Sequence, residues 1–236
     1  MEEPLDPTKA RRRIRAIVKT GELRYSGHAL KEMKNDQLTT VDCCNVLGGS
    51  DGADVLRDRL PLRAVAGRGH RLEGMTMRCM VCGTPMKAGR ENFKYNACGL
   101  PYVTLVNVEV SRCPKCGEFE VAIPRSEELH RVIAHAVARK PGRLGASEIR
   151  FLRKSLGWSG ADFAAHMGVS PETVSRWEGE AQRMGGTADR LLRLMIASRE
   201  PARDYSLDLL QQVGAKKAAG FRLGLKVART GWQAVA

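Results

Sequence analysis

The pattern of apolar and polar positions divides this chain into stretches that predict different structures. Between residues 102 and 110 apolar and polar side chains alternate and β-branched residues are frequent, which predicts a β-strand. Residues 93–95 are expected to pair with that strand across a turn at residues 98–101. From Ser126 onward, apolar residues recur at intervals of three and four, which predicts helices as far as about residue 200.

The two ends of the chain carry weaker patterns. Near the N-terminus we predict helices over residues 9–18, 28–35 and 40–47, with an extended piece at residues 23–26. Residues 50–74 are rich in Asp, Arg and Gly without alternation, so we predict no multi-stranded sheet there. After a short helix near Leu207, alternation from Phe221 predicts a terminal hairpin, which we expect to pack on the helical part.

Taken together, the elements predict an α+β chain in which a small zinc ribbon is followed by an all-α helix-turn-helix domain. The predicted parts are a short helical segment and linker at 1–74, the ribbon at 75–124, a connecting helix and linker at 125–145, the helix-turn-helix at 146–200, and a C-terminal helix and hairpin at 201–236.

Two CxxCG sequences carry the strongest chemical signal. Cys79 and Cys82 form the first pair, and Cys113 and Cys116 form the second about thirty residues later. Two intervening residues allow one tight turn to aim both sulfurs at one ion, so the spacing predicts a four-thiolate zinc site. Four thiolates leave no open coordination position, so the expected role of zinc is structural. The alternative of two redox pairs would need a βαβ context, which the sequence does not show.

The remaining cysteines and three histidines are interpreted without metal. We predict that Cys98 lies in the turn of the ribbon as a bystander, and that the two cysteines at positions 43 and 44 are small buried hydrophobes. The helical pattern places His130 and His135 on the exposed face of the connecting helix. His28 is interpreted as a solvated or helix-capping residue, since no partner for a ribonuclease base is apparent.

Residues 159–178 have the pattern of a helix-turn-helix. Ser159 is expected to cap a short helix that ends near Gly168, and Ser170 is expected to cap the next helix. In the second helix Val174 and Trp177 face inward. The outward residues, which we predict to contact DNA, are Ser170, Glu172, Thr173, Ser175 and Arg176.

Each outward residue type suits a different contact. The Arg176 guanidinium can bond guanine O6 and N7 together, so we expect it to read bases. Thr173 suits a thymine methyl or a phosphate, and Ser170 suits a phosphate near the helix N-terminus. Glu172 could accept from a cytosine amino group or only complement the helix dipole. A helical bundle with an inert polar face is the alternative.

The net charge of the chain favours the same class of partner as the helix-turn-helix pattern. The chain has 39 Lys and Arg against 26 Asp and Glu, a net charge of +13, which favours a polyanion such as nucleic acid. A generally arginine-rich composition would give the same charge without such a partner.

No apolar run is long enough to span a bilayer and the N-terminus is charged from Glu2, so we expect a cytoplasmic protein without membrane contact.

Residues 77–195 resemble the YgiT/MqsA family of antitoxins. The resemblance rests on the two CxxCG sequences, on Ile123-Pro124-Arg125, and on residues 168–178, which are similar to XRE-type proteins. It implies a zinc domain that grips a cognate mRNA-interferase toxin, and a helical domain that dimerises and binds operator DNA. The implied function is a DNA-binding antitoxin and autorepressor.

The N-terminal stretch resembles a different family. Residues 26–29 and 45–49 are similar to the start of mRNA-interferase toxins related to RelE and MqsR. Because the catalytic sheet of those toxins is not predicted here, we interpret residues 1–74 as a truncated remnant, and we expect no enzyme. The remnant either rests on its own zinc domain as a built-in partner or is left over from the fusion of two genes. Translation could also begin at Met75 or Met77. The alternatives are a fusion whose N-terminal segment cleaves mRNA, and a zinc-ribbon adaptor that does not bind DNA.

Overall fold

A computed structural model describes residues 7–48, 63–65, 77–198, 221–229 and 231–235. The N-terminal part forms α1 (Pro7–Thr20), β1 (Glu22–Ser26), α2 (Gly27–Asn35), α3 (Thr40–Gly48) and β2 (Arg63–Val65). The Ser26 hydroxyl accepts a 3.1 Å hydrogen bond from the backbone N–H of Ala29, which begins α2. The predicted helices and extended piece are confirmed. Between residues 50 and 74 the structure describes one short strand, β2, which pairs with β1 although no alternating pattern signals it.

The predicted hairpin of the ribbon is present. Strands β3 (Lys87–Lys94) and β4 (Val103–Arg112) pair antiparallel, and a 3-10 helix at Asn96–Cys98 lies at their closed end. The register shifts between Glu91 and Phe93, where a β-bulge strengthens the local twist. Strand β5 (Phe119–Pro124) follows the second cysteine pair and lies along the other edge of β4.

One sheet joins both ends of the chain to the ribbon. Its order is β2-β1-β5-β4-β6-β7, with β3 on the remaining edge of β4. Strand β1 pairs antiparallel with β5 from Glu22 opposite Pro124 to Ser26 opposite Glu120. At the end of β1 the chain is closely fitted to β5, since a Cβ on Gly27 would lie 2.6 Å from the Phe119 ring.

The C-terminal hairpin consists of β6 (Leu223–Ala228) and β7 (Gly231–Val235). Our expectation that it packs on the helical part is only partly right. Strand β6 pairs in parallel with β4 of the ribbon, and the indole N–H of Trp232 donates a 2.6 Å hydrogen bond to the carbonyl of Pro124. Strand β7 also contacts the connecting helix. The predicted helix near Leu207 lies outside the described residues.

Five helices fill the stretch between the ribbon and residue 198. They are α4 (Ser126–Arg139), α5 (Ala146–Ser155), α6 (Gly160–Met167), α7 (Pro171–Glu178) and α8 (Gly186–Ser198). Helix α4 is the central one, since it contacts α1, α3, α5, α8 and β7. A single cluster of buried apolar side chains therefore runs from the N-terminal segment through the ribbon to the helices. No helix in the described part of the chain is long and apolar enough to cross a membrane.

The central position of α4 overturns one prediction. His130 is buried, not exposed, because α4 is covered on several sides and not on one apolar stripe. Its Nε2 lies 2.9 Å from the Tyr95 hydroxyl and 3.1 Å from the Thr40 hydroxyl, and Tyr95 donates to Thr40 over 2.6 Å. This buried triad ties α3, the ribbon and α4 together. His135 on the same helix is half-buried.

Candidate metal centre and nucleic-acid interface

Two short turns of the same design position the four cysteines. In the first, the N–H of Gly83 donates a 2.9 Å hydrogen bond to the carbonyl of Cys79. In the second, the N–H of Gly117 donates over 3.1 Å to the carbonyl of Cys113. Both glycines have positive φ, 69° and 75°, which a side chain would strain. Each turn thus depends on the glycine after the second cysteine, and the two turns face each other at the end of the hairpin.

The sulfurs form a compact cluster. All four Sγ atoms of Cys79, Cys82, Cys113 and Cys116 lie within 4.8 Å of one another. The Sγ of Cys82 is 3.4 Å from that of Cys113 and 3.5 Å from that of Cys116. A zinc ion bound tetrahedrally at about 2.3 Å would separate its sulfurs by about 3.8 Å, so small movements would seat a metal. The four cysteines could therefore hold a metal ion, and an all-thiolate set suits zinc.

The neighbouring residues act in opposite directions on two thiols of this cluster. Although a backbone hydrogen bond at Glu118 lowers the pKa of the Cys116 thiol, hydrogen bonds with the other sulfurs outweigh it and raise this pKa to about 12. A hydrogen bond with Thr84 lowers the pKa of the Cys82 thiol to about 6, and the Thr84 hydroxyl lies 3.3 Å from its sulfur. A thiolate is the form that binds metal. Cys98 is outside the cluster, as predicted. It is buried, and burial raises the pKa of its thiol to about 12. The two cysteines of α3 are also buried, as predicted.

Helices α6 and α7 form the predicted helix-turn-helix. The Ser159 hydroxyl accepts from the N–H of Asp162 over 3.1 Å, and the Asp162 carboxylate accepts from the N–H of Ser159 over 3.0 Å. The Ser170 hydroxyl accepts from the N–H of Thr173 over 3.3 Å. Val174 and the side chain of residue 177 are buried, so both caps and the inward face of α7 agree with the prediction.

The five residues predicted to contact DNA share the outer side of α7 and its N-terminus. Ser170, Glu172, Ser175 and Arg176 are exposed, and Thr173 is half-buried. Hydrogen bonding with Ser170 lowers the pKa of the Glu172 carboxyl, which ties this residue to the helix cap. Within the described residues, the Arg176 guanidinium forms no ion pair, and it is available to a ligand outside the chain.

An arginine clamp that sequence reasoning missed holds α7 against α5. Both oxygens of the Glu178 carboxylate accept from Arg153, over 2.6 Å and 2.9 Å. Arg150 donates over 2.7 Å to the carbonyl of Glu178. These residues are far apart in sequence, so no local spacing signals the clamp. The clamp fixes the orientation of α7 relative to α5.

One comparison with known proteins identifies this part of the chain. Residues 149–178 match the helix-turn-helix family. The match spans α5 to α7. The chain thus carries a DNA-binding helix-turn-helix, in agreement with the XRE-type pattern of α7. No curated protein and no solved structure matches the chain.

Proposed function

We propose that the protein is a sequence-specific DNA-binding antitoxin that represses transcription of its own operon. The observation that carries the proposal is the exposed polar face of α7 in a matched helix-turn-helix, held rigidly by the clamp on Glu178. In this motif the second helix enters the major groove and presents its N-terminal half to the bases.

The residues of α7 take separate parts in that contact. Arg176 reads a guanine, and the hydroxyls of Ser170, Thr173 and Ser175 reach phosphates or base edges. Glu172 chiefly strengthens the N-terminus of the helix, which its bond with Ser170 favours. The net charge of +13 adds attraction to the phosphate backbone.

Zinc, in this proposal, is a structural metal of the ribbon. The four thiolates would hold it, and it would fix the two turns from which β3 starts and β4 ends. The protein would bind rather than catalyse, and we assign no reaction to His28, which is exposed and has Glu118 on its backbone N–H at 3.0 Å.

The proposed toxin partner has to be reconciled with a contact that the ribbon already makes within this chain. The edge of β5 already pairs with β1, which belongs to the toxin-like segment. Arg24 of β1 further bonds Glu109 of β4 over 2.8 Å. We therefore propose that the ribbon holds its toxin-like partner within the same chain. A separate mRNA-interferase toxin would have to bind another face or displace β1.

A homodimer would suit the DNA-binding function. Leu191 and Leu194 of α8 are exposed, with 37% and 45% of their surface accessible, although their neighbour Leu192 is fully buried. A two-fold contact through these leucines would place two copies of α7 on half-sites about one DNA turn apart.

The test is a gel shift with the DNA upstream of the gene, using the wild type and Arg176→Ala at two salt concentrations. The wild type should bind, with an affinity that falls steeply as salt rises. The variant should bind about tenfold to a hundredfold more weakly, because a bidentate guanine contact is lost.

The matched control is Arg222→Ala, which removes the guanidinium of an exposed residue directly before the C-terminal hairpin. It should weaken binding by no more than about twofold. Failure of the wild type to shift this DNA would contradict the autorepressor, and equal weakening by both variants would reduce the role of Arg176 to general charge.

A further inference from the structure

A second candidate site lies where three parts of the chain meet. A cavity of about 580 Å³ opens between α2, the closed end of the β3–β4 hairpin and α5. Its volume is within the range of small-molecule sites, which is roughly 300–1,000 Å³. It shares no residue with the cysteine cluster or with the outer face of α7.

The rim of the cavity is strongly basic. Five cationic side chains line it, and none of the lining residues is acidic: the cations are Lys31, Lys34, Lys94, Arg150 and Lys154. Lys154 is paired with Asp42 at 2.5 Å, and Arg150 lies 3.4 Å from the Glu178 carboxylate. The other three lysines are exposed and form no ion pair within the described residues. Their mutual repulsion would be relieved by a bound anion.

Beneath this rim the cavity is apolar. Its floor is formed by Leu30, Met33, Leu38, Phe93 and Phe151. Met33 and Phe151 are almost fully buried, so the floor is part of the core and not a surface patch. An apolar floor with aromatic rings favours a flat ring system, whereas the lysines favour phosphate.

We propose that this cavity binds a nucleotide, with its base against the apolar floor and its phosphates among Lys31, Lys34 and Lys94. Inorganic phosphate alone would leave the apolar floor unfilled. The lysines lie on α2 and β3, so a bound nucleotide would bridge the N-terminal segment and the ribbon.

The position of Arg150 connects the cavity to DNA binding. Arg150 lines the cavity and also donates to the carbonyl of Glu178 at the end of α7. A phosphate that attracts Arg150 would weaken this hold on α7 and change DNA affinity, and DNA would change nucleotide affinity by the same factor. This coupling, unlike nucleotide binding itself, rests on the proposed function.

Isothermal titration calorimetry of the full chain with ATP, tripolyphosphate and a single-stranded RNA of ten nucleotides tests the site. The wild type should bind one ATP per chain. The double variant Lys34→Ala, Lys94→Ala should weaken ATP binding at least tenfold. The control Lys87→Ala, Lys226→Ala removes two exposed lysines that do not line the cavity and should change the affinity less than twofold.

Several results would overturn the proposal. They are no heat with ATP at 1 mM, equal weakening in both double variants, tripolyphosphate affinity equal to that of ATP, or RNA affinity a hundredfold above ATP with the same dependence on Lys34 and Lys94. Adding ATP to the gel shift should change DNA affinity about fivefold, and no change would overturn the coupling. Absence of any gel shift would count against the proposed function, while calorimetry would still report on the site.

Discussion

Arg193 in α8 is an arginine whose side chain is almost completely buried. Its Nε donates to Asp189 over 2.6 Å, and its other nitrogens donate to the carbonyls of Ala138, Lys140 and Gly142 over 2.6–2.9 Å. These carbonyls belong to the end of α4 and the loop that follows, where helices leave carbonyls without partners. The guanidinium therefore closes α4 and attaches it to α8.

Replacing this arginine should destabilise the protein strongly. Arg193→Leu would leave the Asp189 carboxylate without its cation, with only the N–H of Leu144 as donor, and would leave the three carbonyls without this partner. The free energy of unfolding should fall by about 3–5 kcal/mol. Urea denaturation followed by circular dichroism would measure this. Arg183→Leu, at an exposed position, is the control. A loss below about 1 kcal/mol would contradict the account of Arg193.

His130 should make stability depend on pH. Burial lowers the pKa of its imidazole from 6.5 to about 3, outweighing the opposite influence of Asp42. The folded protein therefore keeps this histidine neutral while the unfolded chain takes up a proton below pH 6.5. The stability that the neutral His130 contributes is fully present above pH 6.5 and is lost as the pH falls from there toward 3.

The expected size of this loss is about 2 kcal/mol between pH 7 and pH 5. The free energy of unfolding of wild type and His130→Gln should be measured by urea denaturation at both pH values. The variant should lose about 2 kcal/mol less than the wild type. Comparing the two cancels effects of pH on the cysteines. His28→Gln, at an exposed position, should behave as the wild type. Parallel pH profiles for wild type and His130→Gln would show that another group is responsible.

At the scale of elements, the sequence predicts what local spacing determines. The cysteine turns, the β3–β4 hairpin and the capped helices α6 and α7 follow from residues close together in the chain. Their partners do not. Residues 23–26 are recognisably extended, yet nothing in them indicates pairing with β5 about a hundred residues later. The prediction that His130 is exposed was wrong for the same reason. A helical pattern shows which face is apolar, but it does not show how many neighbouring elements cover the helix.

The cysteine turns give a prediction for metal. The purified protein should contain one zinc per chain, and Cys116→Ser should reduce zinc affinity by at least about tenfold, because one of four thiolates is lost. Elemental analysis and competition with a chelator would measure both. Cys98→Ala, outside the cluster, should keep its zinc. Unchanged zinc affinity in Cys116→Ser would refute the four-cysteine site.

For the whole molecule, the N-terminal segment is part of the main core. Leu23 and Tyr25 of β1 are almost fully buried, and they share one apolar cluster with the ribbon and the helices. Asn45 of α3 donates over 2.7 Å to the carbonyl of Lys154 in α5. A segment in this position contributes to stability in addition to any role as a bound partner.

A chain that starts at Met77 should therefore be less stable and less soluble than the full chain. It would expose the edge of β5 and the apolar surface that β1 and α3 cover, so we expect self-association and a lower melting temperature. Size-exclusion chromatography and thermal melting of both chains would show this. Adding residues 1–76 as a separate fragment should restore the elution volume of the full chain and raise the melting temperature. A truncated chain as stable as the full one would refute this view.

The parallel pairing of β4 with β6 also affects the order of folding during synthesis. Val103 lies opposite Leu223, so these partners leave the ribosome 120 residues apart. The helices α5–α8 are made in between and rely on nearby contacts, which form quickly, whereas distant strand pairing is slow. The DNA-reading part can therefore mature on the nascent chain first, and this part of the sheet closes only after residue 223 has been made.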